Sequence, residues 1–268
     1  GHALATEASG QGHTWGRDAH ALDARSAQEL IAEPEVLAPG ERAVADRTTA
    51  IAAGARHSVA LGGDGWVYAW GRNGSGQLGD GTRKSRPFPT AIAAHALPTS
   101  ASFTRVAAGG FHSLAIGADG AVYAWGDNSA GQVDAIAPMA VTSPKRLDAL
   151  TRVAHTTFVA VAAGAYHSLA LTEDGRVFGW GGNVHGQIAP HLPRMPRQSP
   201  TEAGPRGGTQ VRTVAIAAGE HHSTVLEHDG LSRSWGEVQD AHGAVASTPS
   251  RVRRIAGGAG SHRRPTSA

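Results

Sequence analysis

Histidine and serine recur as adjacent pairs, and their chemistry could serve either nucleophilic catalysis or metal binding. The four pairs lie 55 residues apart: His57-Ser58, His112-Ser113, His167-Ser168 and His222-Ser223. A histidine can activate a nearby serine hydroxyl, and three or four histidines that converge on one point can bind zinc. Neighbouring residues of a β-strand point to opposite faces of the sheet, however, and one histidine per repeat spreads the imidazoles apart. We therefore predict no catalytic residue, no metal site and no cofactor, and we interpret these histidines as structural.

A tryptophan follows each of these histidines at a constant distance of 13 residues. The series is Trp70, Trp125, Trp180 and Trp235, while His2 and Trp15 belong to a partial copy upstream. A spacing of this size, repeated in register, indicates stacked or radially arranged units in which each tryptophan packs between neighbours. We predict one domain over residues 1–259, built of five units at about 1–50, 51–105, 106–160, 161–215 and 216–259, and a disordered tail at 260–268.

Each unit contains the signals of four short strands. Small side chains, as in Ala52-Ala53-Gly54, suit a crowded inner strand, and two alternating strands follow on either side of Asp64-Gly65. Asp-Gly predicts a hairpin, because these residues tolerate the positive φ values of a tight turn. A fourth, weaker strand is predicted after a proline such as Pro89, since proline is confined to sheet edges. Four antiparallel strands, ordered from the inside outward, are typical of one blade of an all-β propeller.

Three motifs recur in order in the units from residue 51 to 215. They are Ala-Ala-Gly-x-x-His-Ser, then Asp-Gly-x-Val-Tyr or Phe-x-Trp-Gly-x-Asn with Asn73, Asn128 and Asn183, then Gly-Gln. In this sequence of motifs the chain resembles the regulator of chromosome condensation family, whose repeats are called RCC1 repeats. The resemblance implies a β-propeller, and the best-known members of the family have seven blades. We favour a closed ring of five blades, in which residues 254–258 supply the inner strand of the first blade, and the alternative is part of a seven-bladed ring.

Composition excludes several classes of protein. The chain has no cysteine, which rules out disulfides and thiolate metal sites, and no apolar run long enough to span a bilayer. The net charge is only +2, and the basic residues from Arg251 to Arg264 form a short cluster near one end. We therefore do not expect nucleic-acid binding, and we expect a monomer. A cytoplasmic location is favoured, while a secreted one stays open because the native N-terminus is not visible.

The positions that vary inside the repeated frame are the candidates for binding a partner. The residue before each repeat histidine is Arg56, Phe111, Tyr166 or His221, and it lies in the predicted loop between the first and second strands. A second varying position, two residues after each repeat tryptophan, includes Arg72, and the long connection that follows contains Arg86 and Phe88. Aromatic residues and arginine are enriched among the residues that dominate binding energy at interfaces.

These observations favour a non-enzymatic scaffold that binds another protein through loops on one face of the propeller. The family resemblance implies two alternatives. One is guanine-nucleotide exchange on a small Ran-like GTPase, which would make a GTPase the partner. The other is a secreted bacterial inhibitor or binding protein with this fold.

Overall fold

Each 55-residue unit folds into a small antiparallel sheet, as the motifs predict. The computed structural model describes residues 2–6, 12–17, 30–36, 48–93, 97, 101–204, 212–239, 245–246 and 250–252. Within these ranges the sheets follow one another along the chain without exchanging strands. The predicted class, an all-β propeller with four-stranded antiparallel blades, is confirmed.

The strands of each blade are arranged in chain order. The first blade contains β1 (His2–Thr6), β2 (Gly12–Arg17) and β3 (Leu30–Val36), and the second contains β4 (Thr48–Ala53), β5 (His57–Gly62), β6 (Val67–Gly71) and β7 (Arg86–Ala91). The third contains β8 (Phe103–Ala108), β9 (His112–Gly117), β10 (Val122–Asp127) and β11 (Ala140–Arg146). The fourth contains β12 (Phe158–Ala163), β13 (His167–Thr172), β14 (Val177–Gly181) and β15 (Arg197–Glu202). The fifth contains β16 (Thr213–Ala218), β17 (His222–Glu227), β18 (Ser232–Gly236) and β21 (Ser250–Val252), beside a ribbon of β19 (Val238–Gln239) and β20 (Val245–Ala246).

The first strand of each complete blade lies innermost. Strand β4 contacts β8, β8 contacts β12, and β12 contacts β16, so these strands line up along the inside of the assembly. The second strand of each blade packs against the first strand of the next. Alanine and glycine at the ends of the inner strands allow this close approach. The predicted strand that would close the ring, residues 254–258, and the predicted tail at 260–268 both lie outside the described residues.

The hairpin between the second and third strands differs in detail from the prediction. Asp64 and Gly65 lie in a four-residue turn, and only the glycine has a positive φ, of 77°. The aspartate instead caps the turn, because its carboxylate accepts hydrogen bonds from the Trp66 amide at 2.9 Å and the Tyr68 hydroxyl at 2.8 Å. The predicted pair of positive φ values is therefore wrong, although the hairpin itself forms.

The fourth strand contains its proline, whereas the sequence placed the strand after it. Pro89 lies within β7, where the register with β6 shifts between Ala69 and Gly71. Residues 87–89 therefore bulge opposite Trp70, and the same irregularity recurs around Pro34, Pro144 and Pro200. A bulge on an outer edge strand tolerates a residue that has no backbone N–H.

A short helix interrupts the all-β pattern. Helix α1 (Asp148–Ala154) follows the outer strand of the third blade and was not predicted. Two of its own residues, Leu150 and Ala154, are buried in the hydrophobic core. The helix ends at His155, which takes the left-handed conformation with a φ of 53°.

The hydrophobic core lies between blades. Trp125 of the third blade is fully buried against Val59, Val67 and Leu78 of the second blade. Trp180 packs in the same way on the third blade, and Trp235 on the fourth. The large aromatic side chains therefore stabilise the contacts between neighbouring blades.

We expect the substitution Trp125→Ala to lower the free energy of unfolding by about 3–5 kcal/mol, because it leaves a cavity at a sealed interface. Trp66→Ala is the matched control, since this tryptophan is only partly buried on a turn and its loss should cost clearly less. Urea unfolding monitored by circular dichroism measures both variants. A loss below about 1 kcal/mol for Trp125→Ala would contradict its placement.

Candidate functional site

The repeat histidines connect one blade to the next through hydrogen bonds. His112 Nε2 lies 3.0 Å from Ser168 Oγ of the following blade. The serine hydroxyl donates to the backbone carbonyl of Gln132 at 2.8 Å, and Trp180 Nε1 donates to the same carbonyl at 2.8 Å. A hydroxyl has only one hydrogen to donate, and Ser168 uses it on the Gln132 carbonyl. Ser168 Oγ therefore accepts a hydrogen bond from the N–H at His112 Nε2, in a neutral imidazole that carries its hydrogen on that nitrogen. We call this set of bonds the blade tether.

The blade tether occurs at three successive interfaces. Between the second and third blades it joins His57, Ser113, Trp125 and the carbonyl of Gln77, and between the fourth and fifth it joins His167, Ser223, Trp235 and the carbonyl of Gln187. The serines that are adjacent to histidines in sequence therefore donate hydrogen bonds to backbone carbonyl oxygens and are not positioned as nucleophiles.

Burial keeps the central histidines neutral. It lowers the pKa of both His112 and His167 to about 3, and neighbouring histidines add a smaller effect in the same direction. A base with such a pKa stays unprotonated near neutral pH and cannot exchange protons there with a substrate. The structure thus places these residues in the framework of the propeller.

The recurrent asparagine and glutamine shape the loop that carries the tether carbonyl. Asn128 Oδ1 accepts the amide of Val133 at 2.9 Å, and its Nδ2 donates to the carbonyl of Ala137 at 3.0 Å. Gln132 Oε1 accepts the amide of Ala130 at 2.8 Å. Asn73 with Gln77 and Asn183 with Gln187 make corresponding bonds. The motif therefore fixes the orientation of one backbone carbonyl in each blade.

The two varying positions meet on one face of the propeller. In an antiparallel blade, the loop between strands one and two and the loop between strands three and four lie at the same end. The amide of the residue after each Trp-Gly donates to the carbonyl of the residue before each histidine, at 2.6–2.9 Å: Arg72 to Arg56, Asp127 to Phe111, Gly182 to Tyr166 and Glu237 to His221. We call this end the loop face, formed by residues 54–56, 72–85, 109–111, 127–139, 164–166, 182–196, 219–221 and 237.

Side chains on the loop face also contact one another across blades. The Arg72 guanidinium lies over the Phe111 ring at 5.7 Å, and the rings of His185 and His221 stack with centroids 4.3 Å apart. Glu237 Oε2 lies 2.8 Å from His185 Nδ1. Tyr166 is 40% exposed.

Arg86 and Phe88 do not join this group. Arg86 Nε forms an ion pair at 2.8 Å with Asp80, whose carboxylate is almost completely buried, so this arginine holds its own loop together. Phe88 lies on β7, the outermost strand of the second blade, and is partly exposed there. Both residues are therefore separated from the inner loops by the width of a blade.

Sequence reasoning missed the most exposed apolar side chains of the loop face. Ile136 is 88% and Met139 73% exposed, both in the long loop of the third blade, and Val184 is 56% and Met195 55% exposed in the same loop of the fourth. These residues fall between the repeated motifs, where their only signal is an apolar type in a connection rich in polar residues and proline. His185 was also missed, because it occupies a position between Asn183 and Gly186-Gln187 whose residue type changes from unit to unit.

No helix in the part of the chain that the structure describes is long and apolar enough to cross a membrane.

Comparison with known proteins agrees with the observed fold. A family model described as the RCC1-like domain matches residues 1–263. The chain is 33% identical over 201 residues to the probable E3 ubiquitin-protein ligase HERC6 of Homo sapiens, a match that covers 74% of this chain and 19% of the ligase.

Two solved structures are similar in fold. Human WBSCR16 matches with a TM-score of 0.75 and 22% identity, over 94% of this chain and 64% of that one. Prp20p from Saccharomyces cerevisiae matches with a TM-score of 0.72 and 23% identity, over 96% of this chain and 62% of that one. The chain therefore spans less than two thirds of the length of each of these relatives.

The blade tethers make stability depend on pH. His112 and His167 have a pKa of about 3 when folded and about 6.5 when unfolded, so the unfolded chain binds more protons between these values. Their contribution is complete above pH 6.5 and is lost as the pH falls toward 3. We expect His112→Gln, which keeps a donor but cannot titrate, to reduce the loss of stability between pH 7 and pH 5 by about 2 kcal/mol.

Urea unfolding at the two pH values measures this difference. His228→Gln is the matched control, since His228 is exposed on a turn and its replacement should leave the pH dependence unchanged. Parallel pH profiles for the wild type and His112→Gln would show that the tether histidine does not titrate on unfolding.

Proposed function

Because this chain belongs to the RCC1-like domain family, we propose that it is a non-enzymatic scaffold that binds another protein through its loop face. The observation that carries the proposal is the gathering of variable and apolar side chains on one end of a rigid framework. Binding residues are commonly placed on loops that a regular scaffold positions.

Ile136 and Met139 supply the apolar part of the proposed surface. The two side chains lie three residues apart in one loop, and it is exposed apolar side chains that cluster, more than single ones, that mark interaction sites. Methionine suits such a role, because its unbranched and polarisable side chain adapts to different partners. Met195 extends the same property to the fourth blade.

Phe111 and Tyr166 supply anchors whose positions are already restricted. The backbone of each is held by a hydrogen bond from the following loop, and Arg72 lies over the Phe111 ring. Side chains that are ordered before binding lose less conformational entropy when they meet a partner. Aromatic residues of this kind commonly provide the largest share of the binding energy.

The relatives provide analogies of different scope. Prp20p has been solved and described together with its binding to Gsp1p and histones, which supports protein binding as a use of this fold. HERC6 is named a probable ubiquitin ligase, but this chain matches only 19% of it, so ligase activity is not carried over.

Guanine-nucleotide exchange stays a prediction from the family resemblance. The test is the rate at which labelled nucleotide is released from candidate GTPases in the presence of micromolar chain. A release rate that the chain does not accelerate would contradict this prediction.

We expect Phe111→Ala combined with Tyr166→Ala to weaken binding to a protein partner by at least tenfold without unfolding the chain. Partners are first captured on the immobilised wild-type chain and identified, and each purified partner is then titrated against the variants. Circular dichroism checks that the double variant keeps its fold.

Leu231→Ala is the control, because it truncates an apolar side chain on the turns at the opposite end of the fifth blade. A partner that uses the loop face binds this control as it binds the wild type. Equal affinity of the double variant and the wild type for every captured partner would contradict the proposal.

A further inference from the structure

Three potential metal ligands meet on the loop face where the fourth and fifth blades adjoin. They are His185, His221 and Glu237, and one ligand atom from each lies within 4.8 Å of the others. We propose that these residues form a binding site for a divalent transition metal, with zinc the best match. Binding of the ion does not require a protein partner, although the site lies on the same face and shares His221 with the proposed binding surface.

The three side chains come from separate segments that the framework holds in place. His185 follows the recurrent asparagine, and its amide donates to Gln187 Oε1 at 2.9 Å. The carbonyl of His221 accepts the amide of Glu237 at 2.9 Å. Gln187 also provides the tether carbonyl for the same pair of blades. Metal sites bind tightly when their ligands are ordered in this way before the ion arrives.

The side-chain contacts already bring the ligands together. His185 Nδ1 lies 2.8 Å from Glu237 Oε2, and the two imidazole rings are stacked at an interplanar angle of 27°. Zinc requires ligand atoms about 3.4 Å apart at bond lengths of about 2.1 Å. Ion binding would therefore require the partly exposed rings to turn about their χ2 bonds until one nitrogen of each faces the ion.

His221 provides a second observation that points to a ligand. Its Nδ1 is shielded from solvent and has no hydrogen-bond partner within the described part of the chain. A polar atom that is buried without a partner destabilises the folded chain. Coordination of an ion by this nitrogen would remove that cost.

Equivalent positions at the other interfaces serve as an internal comparison. Between the second and third blades they are Ser75, Phe111 and Asp127, and between the third and fourth they are Ala130, Tyr166 and Gly182. Of these three interfaces in the described part of the chain, the interface of the fourth and fifth blades alone combines three ligands on the common frame. The difference lies in side chains alone, since the supporting backbone hydrogen bonds recur.

Two imidazoles and one carboxylate are a ligand set that zinc accepts in proteins, with a fourth position left for a water molecule. Imidazole and carboxylate suit zinc better than calcium or magnesium, which prefer oxygen ligands throughout.

Isothermal titration of the full, tag-free chain with zinc chloride at pH 7.5, after removal of metals with a chelator, tests the site. We expect one ion per chain, and at least tenfold weaker binding for His185→Ala, His221→Ala and Glu237→Gln separately. The matched control is His228→Ala, an exposed histidine at the opposite end of the same blade, which should bind like the wild type.

Cobalt supplies a second readout, because a tetrahedral site with these ligands gives visible absorption bands that disappear in the three variants. Circular dichroism of each variant excludes unfolding as the cause of lost binding. The proposal is overturned if zinc does not bind the wild type at tens of micromolar, or if binding persists unchanged in His185→Ala and His221→Ala.

Discussion

One backbone carbonyl oxygen holds together each tethered interface between blades. The carbonyls of Gln77, Gln132 and Gln187 each accept a serine hydroxyl and a tryptophan indole from the following blade, at 2.6–2.9 Å. The serine oxygen in turn fixes a buried, neutral histidine. All of these groups are removed from water, so each bond that is missing would leave a costly unsatisfied atom. The 55-residue spacing persists because the donors and the carbonyl lie in different units and must stay in register.

The residues that hold the blades together are different from the residues that vary between blades. The tether uses a main-chain carbonyl, and the glutamine side chain that orients it turns back onto its own loop. The neighbouring side chains, such as Phe111 and Tyr166, are therefore free to differ between blades without weakening the interface. A framework that tolerates variation at such positions can acquire different binding or metal sites on one fold.

The sequence alone predicts the strands, their order and the candidate loops, because these depend on local alternation and on turn residues. It could not show that His112 bonds Ser168, since the adjacent pair in sequence is His112-Ser113 and the bonded pair is 56 residues apart. Periodicity identifies equivalent residues but does not tell which unit each one contacts. Ile136, His185 and Glu237 occupy positions whose residue type changes from unit to unit, so the exposure of the first and the meeting of the other two could only be seen in three dimensions.

The departures from the motif have a structural consequence at the first interface. Among the repeat tryptophans whose side chains the structure describes, Trp70 alone has a buried Nε1 without a hydrogen-bond partner. Its acceptor would come from the first unit, which has Asp18 in place of the asparagine and Ala21-Leu22 in place of Gly-Gln. The first unit therefore lacks the residue types that orient the tether carbonyl in the other blades, and a buried indole N–H without a partner costs about 1–3 kcal/mol. In a repeat protein, stability is a sum over neighbouring interfaces, so a bond that is missing at one interface lowers the stability of that interface relative to one that keeps it.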